Sequence, residues 1–138
     1  MAGFTFRYRL SGAAPTIQVV KAKDTETLTK GDLLNLESGE VDLGAAGDTN
    51  FVGVCLDTAA RTDSTTDVPF IADDDAVYGV VDANARLKGA TLDITGTTGA
   101  QGVTTSSGKE FVVVAASSAS EETLVRFNVG KHVDNKAQ

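Results

Sequence analysis

At 138 residues the chain fits one domain, which buries about two-thirds of the surface its unfolded form exposes and needs neither metal nor disulfide to fold. Its formal net charge of −7, with no cluster of Lys and Arg, excludes nucleic-acid binding through phosphate contacts. A composition 41% hydrophobic but 6% aromatic, with 14 Gly and 2 Pro, excludes a core of large anchors and points to many short strands joined by tight turns.

Phe4 to Leu10 alternate strictly. Phe4, Phe6, Tyr8 and Leu10 face one way and Thr5, Arg7 and Arg9 the other, the period of a strand with one buried face. Ser11 to Pro15 break the pattern, and Thr16 to Lys21 reads as a second strand. Lys30-Gly31-Asp32 turns into Leu33-Leu34-Asn35-Leu36, and Glu37-Ser38-Gly39-Glu40 returns the chain through Val41-Asp42-Leu43 as a hairpin. A small-residue loop, Gly44 to Asn50, precedes the apolar strand Phe51 to Leu56. Thr58 to Asp67 is a polar loop. Val68 to Ala72, Ala76 to Val81 and Ala90 to Ile94 are further strands, the first at an edge because Pro69 cannot donate to a ladder. Val103-Thr104-Thr105 and Glu110 to Ala116, joined by Ser106 to Lys109, read as another hairpin. Ser117 to Glu122 has room for one helical turn, Thr123 to Val129 is the last strand, and Lys131 to Gln138 is a polar tail.

The expected fold is all-β, a sandwich or small β-barrel of short, mostly antiparallel strands. Residues 1–15 form an N-terminal strand or arm, residues 16–130 a single β domain, and residues 131–138 the tail.

No catalytic constellation is visible, so the chain is not read as an enzyme. The one histidine, His132, falls in the polar tail, and with the single Cys55 it does not make the ligand spacing of a zinc site. Cys55 sits in an apolar run and reads as a buried small hydrophobe. Asp73-Asp74-Asp75 are adjacent, where calcium loops need alternating ligands, and read as a solvated turn. The glycines of Gly96 to Gly102 have the wrong spacing for a dinucleotide fold, and Gly102 to Lys109 is one residue too long for a phosphate loop. Ser106 and Ser107 have no evident His base. No cofactor or metal is expected. No stretch approaches the roughly 20 apolar residues of a membrane span, and no apolar segment of a signal peptide follows Met1, so synthesis in a reducing cytoplasm is expected.

Phe4 to Leu10 is the most informative segment. Burying its four large apolar side chains yields roughly 6–10 kcal/mol gross, whereas ordering seven residues costs roughly 7–14 kcal/mol of backbone entropy. The segment therefore needs ladder hydrogen bonds, in its own sheet or on a neighbouring subunit's edge. Phe4, Phe6, Arg7, Tyr8, Arg9 and Leu10 are the candidate protein-interface residues, with Arg7 and Arg9 placed to meet acidic surface.

Lys30-Gly31-Asp32-Leu33-Leu34-Asn35-Leu36, then Glu40-Val41-Asp42-Leu43, Ala46-Gly47-Asp48 and Phe51-Val52-Gly53-Val54, resembles the core of phage capsid decoration, or cement, proteins. Lys88 to Ile94, Gly102 to Thr105, Phe111 to Val114 and Leu124 to Phe127 extend the resemblance, which covers roughly residues 17–129. It implies a β-tulip or small barrel domain on the outer capsid face, a homotrimer at three-fold positions, and the major capsid protein as partner. Two other readings are a tail or adhesin-type β module binding carbohydrate and a small barrel holding an apolar ligand. The scarcity of aromatic residues weighs against the first, and the short strands and scarcity of large apolar lining residues against the second.

Overall fold

The computed structural model describes residues 3–23, 27–60, 67–105 and 109–134. Among the described residues there are thirteen strands and no helix. They are β1 (Thr5–Arg9), β2 (Ile17–Lys21), β3 (Thr27–Leu28), β4 (Leu33–Glu37), β5 (Glu40–Leu43), β6 (Phe51–Val54) and β7 (Ala59–Ala60). The second half of the chain adds β8 (Asp67–Ile71), β9 (Ala76–Val81), β10 (Thr91–Thr95), β11 (Gly102–Thr104), β12 (Phe111–Val113) and β13 (Glu122–Phe127). A six-stranded sheet runs in the order β1-β9-β13-β12-β10-β11, a three-stranded one β5-β4-β6, and two pairs are β2-β8 and β3-β7. Every pairing between these strands is antiparallel.

The all-β class is as expected, but the sheets do not close into a barrel. The six-stranded sheet ends at β1 on one side and at β11 on the other. Its inner face is covered instead by a second sheet: Leu33, Phe51 and Val54 join Tyr78, Leu92, Phe111, Val125 and Phe127 in one core. A layer packed on a layer buries an apolar face as well as closure does.

The intervening residues of β4 and β6 point the other way. Leu34, Val52 and Cys55 pack with Leu28, Val41, Val68 and Phe70 in a second core. The apolar run from Phe51 to Cys55 is thus continuous because both of its faces are covered. Gly53 is required at its centre. Its φ is +149°, and a Cβ there would stand 1.6 Å from the carbonyl oxygen of Ile71.

The hairpin β4–β5 follows the sequence closely. Glu37 pairs with Glu40, leaving Ser38 and Gly39 as a two-residue turn with φ of 52° and 81°. Positive φ at both central residues matches the right-handed twist of the flanking strands. The second expected hairpin does not form. β11 pairs with β10, placing Val103 opposite Ile94, while β12 lies between β10 and β13. The chain reverses earlier than expected, at Gly96 and Gly99, whose φ values of 96° and 72° suit a turn. Ser106, Ser107 and Gly108, the expected turn, lie outside the described residues. Ser117 to Glu122 forms turns, with no helix.

The end of the described chain also departs from the expected polar tail. Phe51 donates its N–H to the carbonyl of Lys131 and accepts the N–H of Val133, each at 3.0 Å, a parallel bridge centred on His132. His132 is fully buried, its ring tilted by 59° against Phe127 with centroids 5.0 Å apart. Its neighbours in sequence are polar, but its imidazole is flat and apolar enough to finish the aromatic layer.

Candidate functional site at the N-terminal sheet edge

β1 holds its place through Phe4 and Phe6. Phe4 is buried and stacks on Phe111 with ring centroids 5.2 Å apart, and Phe6 meets the edge of Tyr78 at 6.3 Å. Thr5 and Phe6 pair with Gly79 and Tyr78 of β9; the register then shifts, and Tyr8 pairs with Val77. Arg7 is the extra residue of a β-bulge, which breaks the strict alternation that the sequence displays. Tyr8 and Leu10, expected to be buried beside Phe4 and Phe6, are consequently 43% and 53% exposed.

The bulge also parts the two arginines. Arg7 reaches across the sheet to Glu122, donating from Nε at 2.8 Å and from Nη2. Both partners are solvent-exposed, so the pair adds little to stability. Arg9 turns to the loop after β8, where its Nε donates to Asp75 Oδ1 at 2.8 Å and its Nη1 lies 3.4 Å from Asp73 Oδ1. The aspartate turn that looked solvated is therefore a receptor. Asp75 also accepts the N–H of Ser11 at 3.1 Å, and Asp73 that of Thr16 at 2.7 Å. The loop from Ser11 to Pro15 is thus pinned at its start and, through Thr16, just beyond its end.

Seven large apolar side chains are exposed among the described residues, and four of them, Tyr8, Leu10, Ile17 and Val19, fall between residues 8 and 19. Apolar exposure is thus concentrated on β1, β2 and their connection. The sequence carried one signal for Ile17 and Val19: they stand two apart on a strand whose ladder neighbour contains Pro69.

Beside the free edge of β1 lies a groove of about 510 Å³. Phe4, Thr5 and Phe6 line one side, and Val54, Leu56 and Ile71 line the other, with Lys30, Gly31 and Cys55 completing it. Phe4 donates its N–H across one end to the carbonyl of Gly31 at 2.8 Å. None of the residues of the far wall was singled out from sequence, because the groove exists only once β1 and β6 are brought together.

Polar groups elsewhere serve the fold. Asp32 is fully buried and accepts the N–H groups of Thr29 at 2.8 Å and Gly99 at 2.9 Å, so the glycine-rich loop binds a carboxylate of its own chain. Gln101, also buried, links Leu33 N–H to Gly44 C=O. Glu110 accepts the N–H of Ile94 at 3.0 Å, and burial raises its carboxyl above the usual range, with the charge of Asp93 adding to the effect. Burial likewise pushes the Cys55 thiol up, and the thiol donates to the carbonyl of Asp57. His132 accepts the N–H of Asp134 on Nδ1 and meets the carbonyl of Val52 from Nε2, both at 3.0 Å, which fixes a neutral ring protonated on Nε2. Burial lowers its pKa. Among the described residues no group of three or more His, Cys, Asp or Glu is placed to hold a metal ion. None of them forms a helix long and apolar enough to cross a membrane.

No protein-family model matches the sequence, and no curated protein matches it. The fold does have a solved counterpart. The crystal structure of the head fiber gp8.5 N base in bacteriophage phi29 superposes with a TM-score of 0.52 at 16% identity, covering 89% of this chain and 99% of that one. At that identity the likeness establishes a shared all-β fold.

Proposed function

We propose that this chain is a non-enzymatic structural protein of a phage head, docking on the outer capsid surface and bracing neighbouring major capsid protein subunits. The observation that carries this reading is the match, over nearly the whole of that chain, to a head fiber base. Three features of the chain support it. Asp32, Gln101, Cys55 and His132 are engaged in internal contacts, four of the seven exposed large apolar side chains among the described residues lie on β1, β2 and their connection, and the acidic charge keeps free subunits apart before assembly. In this reading Phe6, Tyr8 and Leu10 meet the shell. Phe4 anchors their strand, and Arg7 and Arg9 hold its bulged course through Glu122, Asp73 and Asp75. A homotrimer on the virion surface, after synthesis in the host cytoplasm, is the assembly that suits bracing.

The direct test mixes the purified protein with bare heads of its own virus and sediments them. Co-sedimentation, with density at capsid three-fold positions in cryo-electron microscopy, is expected. Protein that stays in the supernatant at every stage of head maturation removes the reading.

A further inference from the structure

The groove beside β1 combines apolar walls with an unpaired main-chain edge. Thr5 pairs with Gly79 of β9, while Phe4 turns its N–H the other way, to Gly31. By the period-two alternation of a strand, Phe6 also turns its N–H and C=O away from β9, toward the groove it lines. β1 is the last strand of its sheet, so among the described residues that edge has no ladder partner.

This combination selects the occupant. A lipid tail or aromatic ligand filling the walls would strip water from the Phe6 amide and carbonyl without replacing its hydrogen bonds. An extended peptide satisfies both groups and drops alternate side chains into the apolar space. About 510 Å³ is room for more than one large side chain. Lys30 is the charged residue of the lining, which favours a segment with an acidic residue beside its apolar one. We infer that the groove between β1 and Val54–Leu56 is a strand-addition site for an extended segment of the major capsid protein carrying a large apolar residue flanked by an acidic one. This inference rests on the head-docking reading and names its contact.

The test uses full-length protein and bare heads of its own virus, with three variants and an exchange measurement. Phe6→Ala shortens a groove wall but keeps the outward N–H; Phe6→Pro removes that N–H as well. Leu56→Trp fills the groove from the far wall and leaves β1 untouched, so the test survives if Phe6→Pro does not fold. Phe6→Pro is expected to bind heads about fivefold more weakly than Phe6→Ala, the worth of one hydrogen bond. Leu56→Trp is expected to bind at least about tenfold more weakly than the parent. The Phe6 amide should exchange rapidly in the free protein and slowly on heads. If the parent sediments with heads while Phe6→Pro matches Phe6→Ala and Leu56→Trp matches the parent, the groove assignment falls and head docking stands. A parent that never sediments takes both down. Protection of the Phe6 amide that grows with concentration of the free protein would assign the groove to a second copy and overturn the inference.

Discussion

Phe4→Ala decides whether the N-terminal segment is a strand of this chain or an arm meant for another. Phe4 is 3% exposed and stacks at 5.2 Å on Phe111, which in turn stacks at 5.6 Å on Phe127. Truncating a buried phenylalanine to alanine costs about 3–5 kcal/mol, the sum of lost transfer energy and the cavity left behind. The aromatic contact supplies about 0.5–1.5 kcal/mol of that. Against a total stability of roughly 5–15 kcal/mol the loss is severe. At roughly 3–4 °C per kcal/mol for a chain of this size, Tm should fall by about 10–18 °C. Urea unfolding followed by far-ultraviolet circular dichroism, at fixed protein concentration, measures it, with Tyr8→Ala as the control. That control should lose no more than about 1 kcal/mol, since Tyr8 is 43% exposed. A loss below about 1 kcal/mol for Phe4→Ala with an unchanged m-value would show that Phe4 does not complete this chain's core. A loss that grew on dilution would show that it completes another's.

Two glycines should behave oppositely. Gly53→Ala drives a Cβ into the Ile71 carbonyl at 1.6 Å and should cost at least about 3 kcal/mol in the same urea assay. Gly79→Ala meets the tip of Glu122, a side chain that can swing aside and give up only its exposed pair with Arg7; it should cost about 1 kcal/mol or less. Two of the buried titratable groups, His132 and Glu110, give stability opposite dependences on pH. Because the folded pKa of His132 lies below its ordinary 6.5, the unfolded chain takes up a proton that the folded chain refuses. Its contribution is present above pH 6.5 and lost as pH falls toward the folded value; replacing it by Gln should flatten that slope in denaturation curves taken from pH 7.5 downward. Glu110 is raised above its ordinary 4.5, so its contribution is present below pH 4.5 and lost as pH rises through the folded value. Glu110→Gln, which can still accept from Ile94 N–H, should therefore gain stability relative to the parent at neutral pH, and an unchanged difference from pH 4 to pH 7 would contradict the assignment.

The pattern of apolar residues fixed the class of fold because alternation and short-range turn chemistry are local. The β4–β5 hairpin could be read from Ser38-Gly39, and the burial of β6 from its unbroken apolar run. Its neighbour in difficulty is β1, whose alternation is perfect in sequence and broken in space. A bulge at Arg7 leaves no local signature when the residue after it, Tyr8, is as apolar as the residue before. The partners of Arg9 lie 64 and 66 positions away, so nothing near it announced that Asp73 and Asp75 were receptors rather than a wet turn. His132 was obscured by its polar neighbours; its burial depends on a parallel bridge to Phe51, a contact that no local period encodes. The candidate site shares that property. β1 was recognisable as a strand that needs ladder hydrogen bonds, but the far wall of the groove comes from β6, the residues after it and β8.

The rings of Phe4, Phe111, Phe127 and His132 touch in succession, so Phe4 and His132 are joined through one run of aromatic contacts. A ribosome must therefore release everything from Phe4 to His132 before this interior can be sealed. Until then β1 stays without its aromatic counterpart. A chain cut short before Phe111 would leave Phe4 without the ring it stacks on and the six-stranded sheet without β12 and β13.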